Sequence, residues 1–292
     1  MYAIQTTNLT KYYGKSRGIV DLNLAVKKGE FFGFIGPNGA GKSTCIRTLL
    51  GLIKSSSGSA TVLGLDIQQD KTEILKRVGY MPSETMFYAG MRVKDVLKLS
   101  ADLRKVNCSE EAGILCERLQ LDVNKKVEEL SYGNKKKVSI VCALQHKPEL
   151  LILDEPTSGL DPLMQREFFQ ILQERNAEGT TIFLSSHILA EVQRNCTRAG
   201  IIREGRLIAC DSVEALSQTK AKRVHVQGNV NIEELGQVRD LRQTENGFTF
   251  LYGGEIKQLL EALSRQPIQD LSISEPDLEE IFMHYYVDGG EA

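Results

Sequence analysis

"GPNGAGKST" occupies Gly36 to Thr44, between the apolar run "EFFGFI" (30–35) and the helical stretch "CIRTLLGLI" (45–53). The pattern G-x-x-x-x-G-K-[ST], set between a strand and a helix, cradles phosphate. Glycines at 36, 39 and 41 let the backbone curl into a nest whose amides, together with a helix N-terminus, face phosphate oxygens. Lys42 supplies a positive charge for the β and γ phosphates, and Ser43 offers its hydroxyl to Mg²⁺. The expected nucleotide contacts are Gly36, Pro37, Asn38, Gly39, Ala40, Gly41, Lys42, Ser43 and Thr44. A glycine-rich turn without function is the competing reading, and the flanking strand and helix weigh against it.

Outward from this loop, short β-branched or aromatic runs alternate with longer amphipathic stretches up to about residue 215. "ELLILDE", "PLMQREFFQILQERNAEG" and "TTIFLSSH" continue the order, which predicts an α/β fold with a largely parallel sheet. Strands around Ile152 and Phe183 read as apolar on both faces, as buried parallel strands do. Residues 84–147 break the alternation with helical pattern and are expected to form a helical insert. "AGIIREGRLIACD" reads as a hairpin turning at Glu204 and Gly205. Residues 216–292 are expected to form a small α+β domain of strands "RVHVQG", "GFTFLYGG" and "DLSISEP" with helices "EIKQLLEALSRQ" and "DLEEIFMHYY". Ile273, Leu278, Ile281 and Phe282 are candidates for its core.

Composition narrows the function. With 292 residues, 41% of them hydrophobic and a net charge of -2, the chain can bury a large core, and it has no bulk excess of positive charge for a polyanion. No nucleic acid partner is expected. Cys45, Cys108, Cys116, Cys142, Cys196 and Cys210 form no C-x-x-C pair, which predicts reduced thiols and a cytoplasmic setting. The opening "MYAIQTTNLTKYYG" has no leader pattern, and no apolar run reaches the ~18 to 20 residues of a membrane span, so any membrane role is expected to run through a partner.

Hydrolysis at a phosphate loop needs a metal carboxylate and a group that activates water. "ELLILDEP" (149–156) offers both at the end of a buried strand, the end where open α/β sheets bind ligands. Asp154 would hold Mg²⁺ directly or through water, and Glu155 would polarise the attacking water. His187 ends the strand of "TTIFLSSH", where it could hydrogen-bond the γ phosphate or align Glu155. Two acids capping a helix and a surface histidine are the bland alternatives. "LSYGNKKK" (130–137) reads as a capped helix start, and its three lysines as a solvated face.

In that order, "GPNGAGKST", "LSYGN", "LILDEPTSGLD" and "LSSH" resemble the motif set of the nucleotide-binding subunit of ABC transporters, over roughly the first 215 residues. The resemblance implies a P-loop NTPase fold with a RecA-like sheet core, an antiparallel β part and a helical insert. It also implies ATP and Mg²⁺ as ligands, and ATPase activity with Lys42, Glu155 and His187 as the catalytic set. "LSYGN" is similar to the family's signature, usually LSGGQ, which closes over ATP held by a facing subunit; Ser131 and Gly133 would make that contact. Tyr13 matches the adenine-stacking aromatic, and Asp161 lies in the loop that crosses the dimer interface. Tyr132, where the family has glycine, is expected to pack outward against the partner rather than touch nucleotide.

"GYMPSE" places Ser83, with Glu84 beside it, where the family has a glutamine that touches Mg²⁺ or water and senses the permease. Both residues are candidates for that contact. These departures and the closing "LSISEPDLEEIFMHYY" resemble the exporter branch of bacitracin, lantibiotic and daunorubicin resistance systems. The implied protein is peripheral on the inner face of the cell membrane, an ATP-dependent homodimer or a dimer with a paralogous ATPase, driving a separate integral membrane permease. The alternatives are a soluble regulatory ATPase acting on ribosome or DNA, and an import ATPase.

Overall fold

The computed structural model describes residues 1–217, 222–228 and 230–274. The expected helix "DLEEIFMHYY", with Leu278, Ile281 and Phe282, lies outside them. Two compact units divide the chain, Met1–Val213 and Glu214–Ala292.

The first unit begins with strands β1 (Tyr2–Tyr13), β2 (Ser16–Leu22), β3 (Ala25–Lys27) and β4 (Phe31–Ile35), then helix α1 (Lys42–Leu49). Next come β5 (Ser57–Val62), β6 (Leu65–Asp66), α2 (Lys71–Arg77) and β7 (Val78–Met81). Helices α3 (Val93–Arg104), α4 (Ser109–Arg118) and α5 (Tyr132–Leu144) fall in the stretch that broke the α/β alternation. The chain returns to alternation with β8 (Leu150–Asp154), α6 (Pro162–Ala177), β9 (Thr181–Ser186), α7 (Leu189–Asn195), β10 (Arg198–Arg203) and β11 (Arg206–Ser212), and α8 (Val213–Ser217) follows.

These strands form two sheets. One runs β2-β1-β5-β6, with β3 also on β1, and its pairings are antiparallel. The other runs β11-β10-β4-β9-β8-β7, parallel from β10 to β7, with β11 as an antiparallel edge. Every residue of β4, β8 and β9 is buried, which is why their sequences carry no polar alternation. Phe183 stacks on Phe32 with ring centroids 5.7 Å apart and tilts against Phe34 at 5.3 Å, locking β4 to β9. The register pairs Ile35 with Ser186, Asp154 with Ser185 and Met81 with Leu153. Four strand exits therefore open side by side on one edge of the sheet.

The second unit is a four-stranded antiparallel sheet of β12 (Lys222–Gly228), β13 (Val238–Thr244), β14 (Gly247–Tyr252) and β15 (Ile268–Ser274), in the order β13-β14-β12-β15, with helix α9 (Ile256–Leu263). Val224, Val226, Phe250, Tyr252, Leu259 and Leu263 form its core, with Ile273 packed against them. β13 was not expected from sequence. It is an edge strand whose residues after Val238 are all exposed, so "VRDLRQT" carries no apolar alternation.

His146, just after α5, is a latent acid sensitivity in the first unit. Burial foremost, and then the Arg104 guanidinium, push its imidazole down from an ordinary 6.5 to about 4, against a smaller opposing effect of the Val78 backbone. Between those values the unfolded chain binds the proton and the folded chain resists it, so stability falls as pH falls through this window. His146→Leu is expected to flatten the loss between pH 6.5 and 4 by up to about 3 kcal/mol, read from urea unfolding at each pH.

Candidate functional site

β4 runs straight into the loop from Gly36, and α1 starts at Lys42. Gly41 caps that helix with φ of 110°, and a Cβ there would lie 2.6 Å from the Gly18 carbonyl oxygen, so only glycine fits. Gly205, in the β10–β11 turn, donates its N–H to the Ala40 carbonyl at 2.8 Å and braces the loop from below. Lys42 is buried, and its ammonium donates to the carbonyls of Gly36 at 2.5 Å and Pro37 at 3.2 Å. The same ammonium lies 3.1 Å from Glu155 Oε1, an ion pair without the alignment of a hydrogen bond.

Asp154 closes β8 with no exposed surface. Ser185 on β9 donates its hydroxyl to Asp154 Oδ1 at 2.6 Å, while Oδ2 is buried without a hydrogen-bond partner. A buried carboxylate oxygen left unpaired is costly, and a hard cation would satisfy it. Glu155 follows with φ of 49°, a left-handed backbone unusual for a side-chain-bearing residue, fixed by its N–H donating to the Ser185 carbonyl at 3.1 Å. That turn aims Oε2 at His187, whose Nδ1 lies 2.6 Å away. Glu155 thus sits between an imidazole and an ammonium. Neither Ser185 nor the bend at Glu155 was singled out from sequence, although Ser185 lies within "LSSH".

Tyr13 ends β1, about half exposed, with the Lys11 ammonium 5.2 Å from its ring centroid. A Cβ on Gly18 would lie 3.2 Å from Tyr13 Cε2 and 2.7 Å from Thr44 Cγ2. The bare backbone of Gly18 therefore brings the aromatic beside the phosphate loop.

Ser131 caps α5, its hydroxyl oxygen accepting from the Asn134 N–H at 3.4 Å. Residues 131–134 and 159–161, with Lys137, line one open cleft of about 350 Å³. A Cβ on Gly133 would lie 2.6 Å from the Gly159 carbonyl oxygen, and one on Gly159 would lie 2.3 Å from Tyr132 Cδ1. Tyr132 lays one side of its ring on Gly159 of its own chain and leaves about half its surface to solvent. One carboxylate oxygen of Asp161 accepts from the N–H groups of Leu163 and Met164, both at 3.0 Å, capping α6.

The lysine run corrects the sequence reading. Lys136 has no exposed surface, because its face of α5 turns inward beside β7, and Lys137 is 9% exposed in the wall of the cleft. The Lys136 ammonium donates to the Ser83 carbonyl at 2.5 Å. Ser83 therefore meets the site through its backbone, and the Glu84 side chain beside it is exposed.

Residues 19–158 match the model of the ABC transporter family. The bacitracin transport ATP-binding protein BcrA of Bacillus licheniformis is 37% identical over 96% of this chain and 96% of its own length. The chain belongs to the ABC transporter family. It is an ATP-binding subunit of that family and an ATPase. The linearmycin resistance ATP-binding protein LnrL of Bacillus subtilis is 31% identical over 96% of this chain and 97% of that protein. A solved ATP-binding subunit of an ABC transporter superposes with a TM-score of 0.70 at 29% identity, covering 73% of this chain and 91% of the other. No described helix of this ABC subunit is long and apolar enough to cross a membrane.

The packing of Tyr132 on Gly159 sets a steric prediction. Gly159→Ala forces φ of 81° on a side-chain-bearing residue and drives a methyl into the ring, so it should cost about 1–3 kcal/mol of stability. In a Tyr132→Ala background the clash is gone, and Gly159→Ala should there cost only about 1 kcal/mol, the backbone share, in denaturant unfolding.

Proposed function

We propose that this ATPase works in a head-to-tail dimer that drives a separate membrane permease exporting a peptide, drug or lipid. The observation that carries the hydrolytic part of the reading is the placement of Glu155 between Lys42 and His187, next in the chain to Asp154 with its unpaired Oδ2. A general base needs proton-accepting capacity directed at one point and a partner that holds its geometry. Glu155 would accept the proton of the attacking water, and His187 would keep the carboxylate oriented. Lys42 now faces both the loop carbonyls and Glu155; phosphate, the more highly charged anion, would draw the ammonium away and free the carboxylate.

The donor set also fits Mg²⁺. Asp154 Oδ2 and the Ser43 hydroxyl would hold it, with Ser83 or Glu84 as the remaining candidates, and bound there it would neutralise phosphate charge. Tyr13 would stack on adenine. Ser131 and Gly133, at the start of α5, would meet the ATP of the facing subunit with amides and a hydroxyl. The outward side of Tyr132 supports its contact with that partner, and Asp161 would stand at the same interface.

A permease contact is supported by the loop after β7, where Met86 and Tyr88 are 90% and 75% exposed. Large apolar side chains in a cluster on a surface mark an interaction site. Such a contact would hold the subunit on the cytoplasmic face of the membrane. Export of peptide or drug is supported by the names of the bacitracin and linearmycin relatives. Residues 216–292 are proposed as an accessory domain beside the nucleotide-binding domain.

Glu155→Gln tests the chemistry. Hydrolysis should fall about 100-fold or more while ATP binding persists, and light scattering should show the variant dimerising on ATP. Equal hydrolysis rates in the two proteins would remove Glu155 from the mechanism.

A further inference from the structure

Lys136 is a fully buried cation that the reading of the ATP site leaves without a task. Its ammonium donates to two backbone carbonyls on different strand exits, Ser83 after β7 at 2.5 Å and Glu155 after β8 at 3.4 Å. It also lies 5.9 Å from the ring centroid of Tyr132, the residue that opens α5 and packs on Gly159. Two strand exits and the first turn of α5 therefore meet at one nitrogen. Burial lowers the pKa of this ammonium, and the carboxylates of Asp154, Glu155 and Glu84 act in the opposite sense. A long flexible side chain is held here against its desolvation and entropy cost.

We propose that Lys136 is a positioning residue that ties the Ser83 carbonyl to the Glu155 carbonyl, so that movement of the 82–86 loop is transmitted to the carboxylate that activates water. The backbone of Glu155 is already in a strained conformation, so a tether on its carbonyl bears directly on where the side chain points. The Ser83 bond is the shorter of the two and anchors the ammonium on the loop that carries Met86 and Tyr88. The coupling needs no side-chain contact from Ser83, because the loop is held by its main chain. This inference rests on the assignment of Glu155 to water activation.

Lys136→Met keeps the stem and removes the donors. In steady-state assays kcat is expected to fall about tenfold with KM for ATP within about twofold, since the tether places the base while its partners lie on the β7 and β8 exits rather than on the 36–44 loop. Amide hydrogen exchange without nucleotide should speed about tenfold at residues 83–86 while the interior of α5 keeps its protection. Lys136→Gln retains a shorter donor that can reach one carbonyl and should fall between the two, which decides the matter if the Met protein does not fold. Unchanged exchange at 83–86, or faster exchange with unchanged kcat, would overturn the proposal. If Glu155→Gln itself hydrolyses at the wild-type rate, the water-activation reading fails, and the exchange arm alone then reports whether the tether exists.

Discussion

Because β4, β9, β8 and β7 run parallel and next to one another, their carboxyl ends must lie along one edge of the sheet, and the acids and the histidine of the site hang from that edge. Gly36, His187, Glu155 and Ser83 each follow one of these strands by one or two residues. The pairing of Ile35 with Ser186 and of Asp154 with Ser185 sets their order. Buried phenylalanines hold the register from within the sheet, so a slip would cost both the core and the site. In such a sheet the geometry of the candidate site is a consequence of hydrophobic packing.

The acids at that edge are tolerated because bases and hydroxyls surround them. Asp154 takes a hydrogen bond from Ser185, Glu155 faces Lys42 and His187, and the Lys136 ammonium lies near both. The influence of Asp154 reaches further. Burial foremost, and Asp154 second, push the Cys45 thiol far up and raise the Tyr80 phenol. Cys45, directly after the phosphate loop, is thereby an unreactive packing residue rather than a nucleophile.

Glycine plays a different part at the nucleotide edge and at the cleft. Beside the phosphate loop, Gly18 gives up its side chain so that Tyr13 and Thr44 can approach the same backbone. In the cleft, Gly159 gives up its own so that one edge of the Tyr132 ring can approach the main chain. A bulky residue where the family has glycine is thus accommodated by a small one in the loop opposite.

Local chemistry in the sequence was enough to show the phosphate loop, the buried parallel strands around Ile152 and Phe183, the Asp154–Glu155 pair and the cap at Ser131, because each depends on residue type at short spacing. It was silent on β13, an exposed edge strand that its pairing with β14 holds in place. It misread Lys136, since a basic run looks the same whether its helix faces water or the sheet, and only the docking of α5 beside β7 decides which. The partners of Glu155 were likewise decided by the fold, through a left-handed turn and the alignment of strands far apart in the chain. Residue type determined which groups are available; the parallel sheet determined which of them meet.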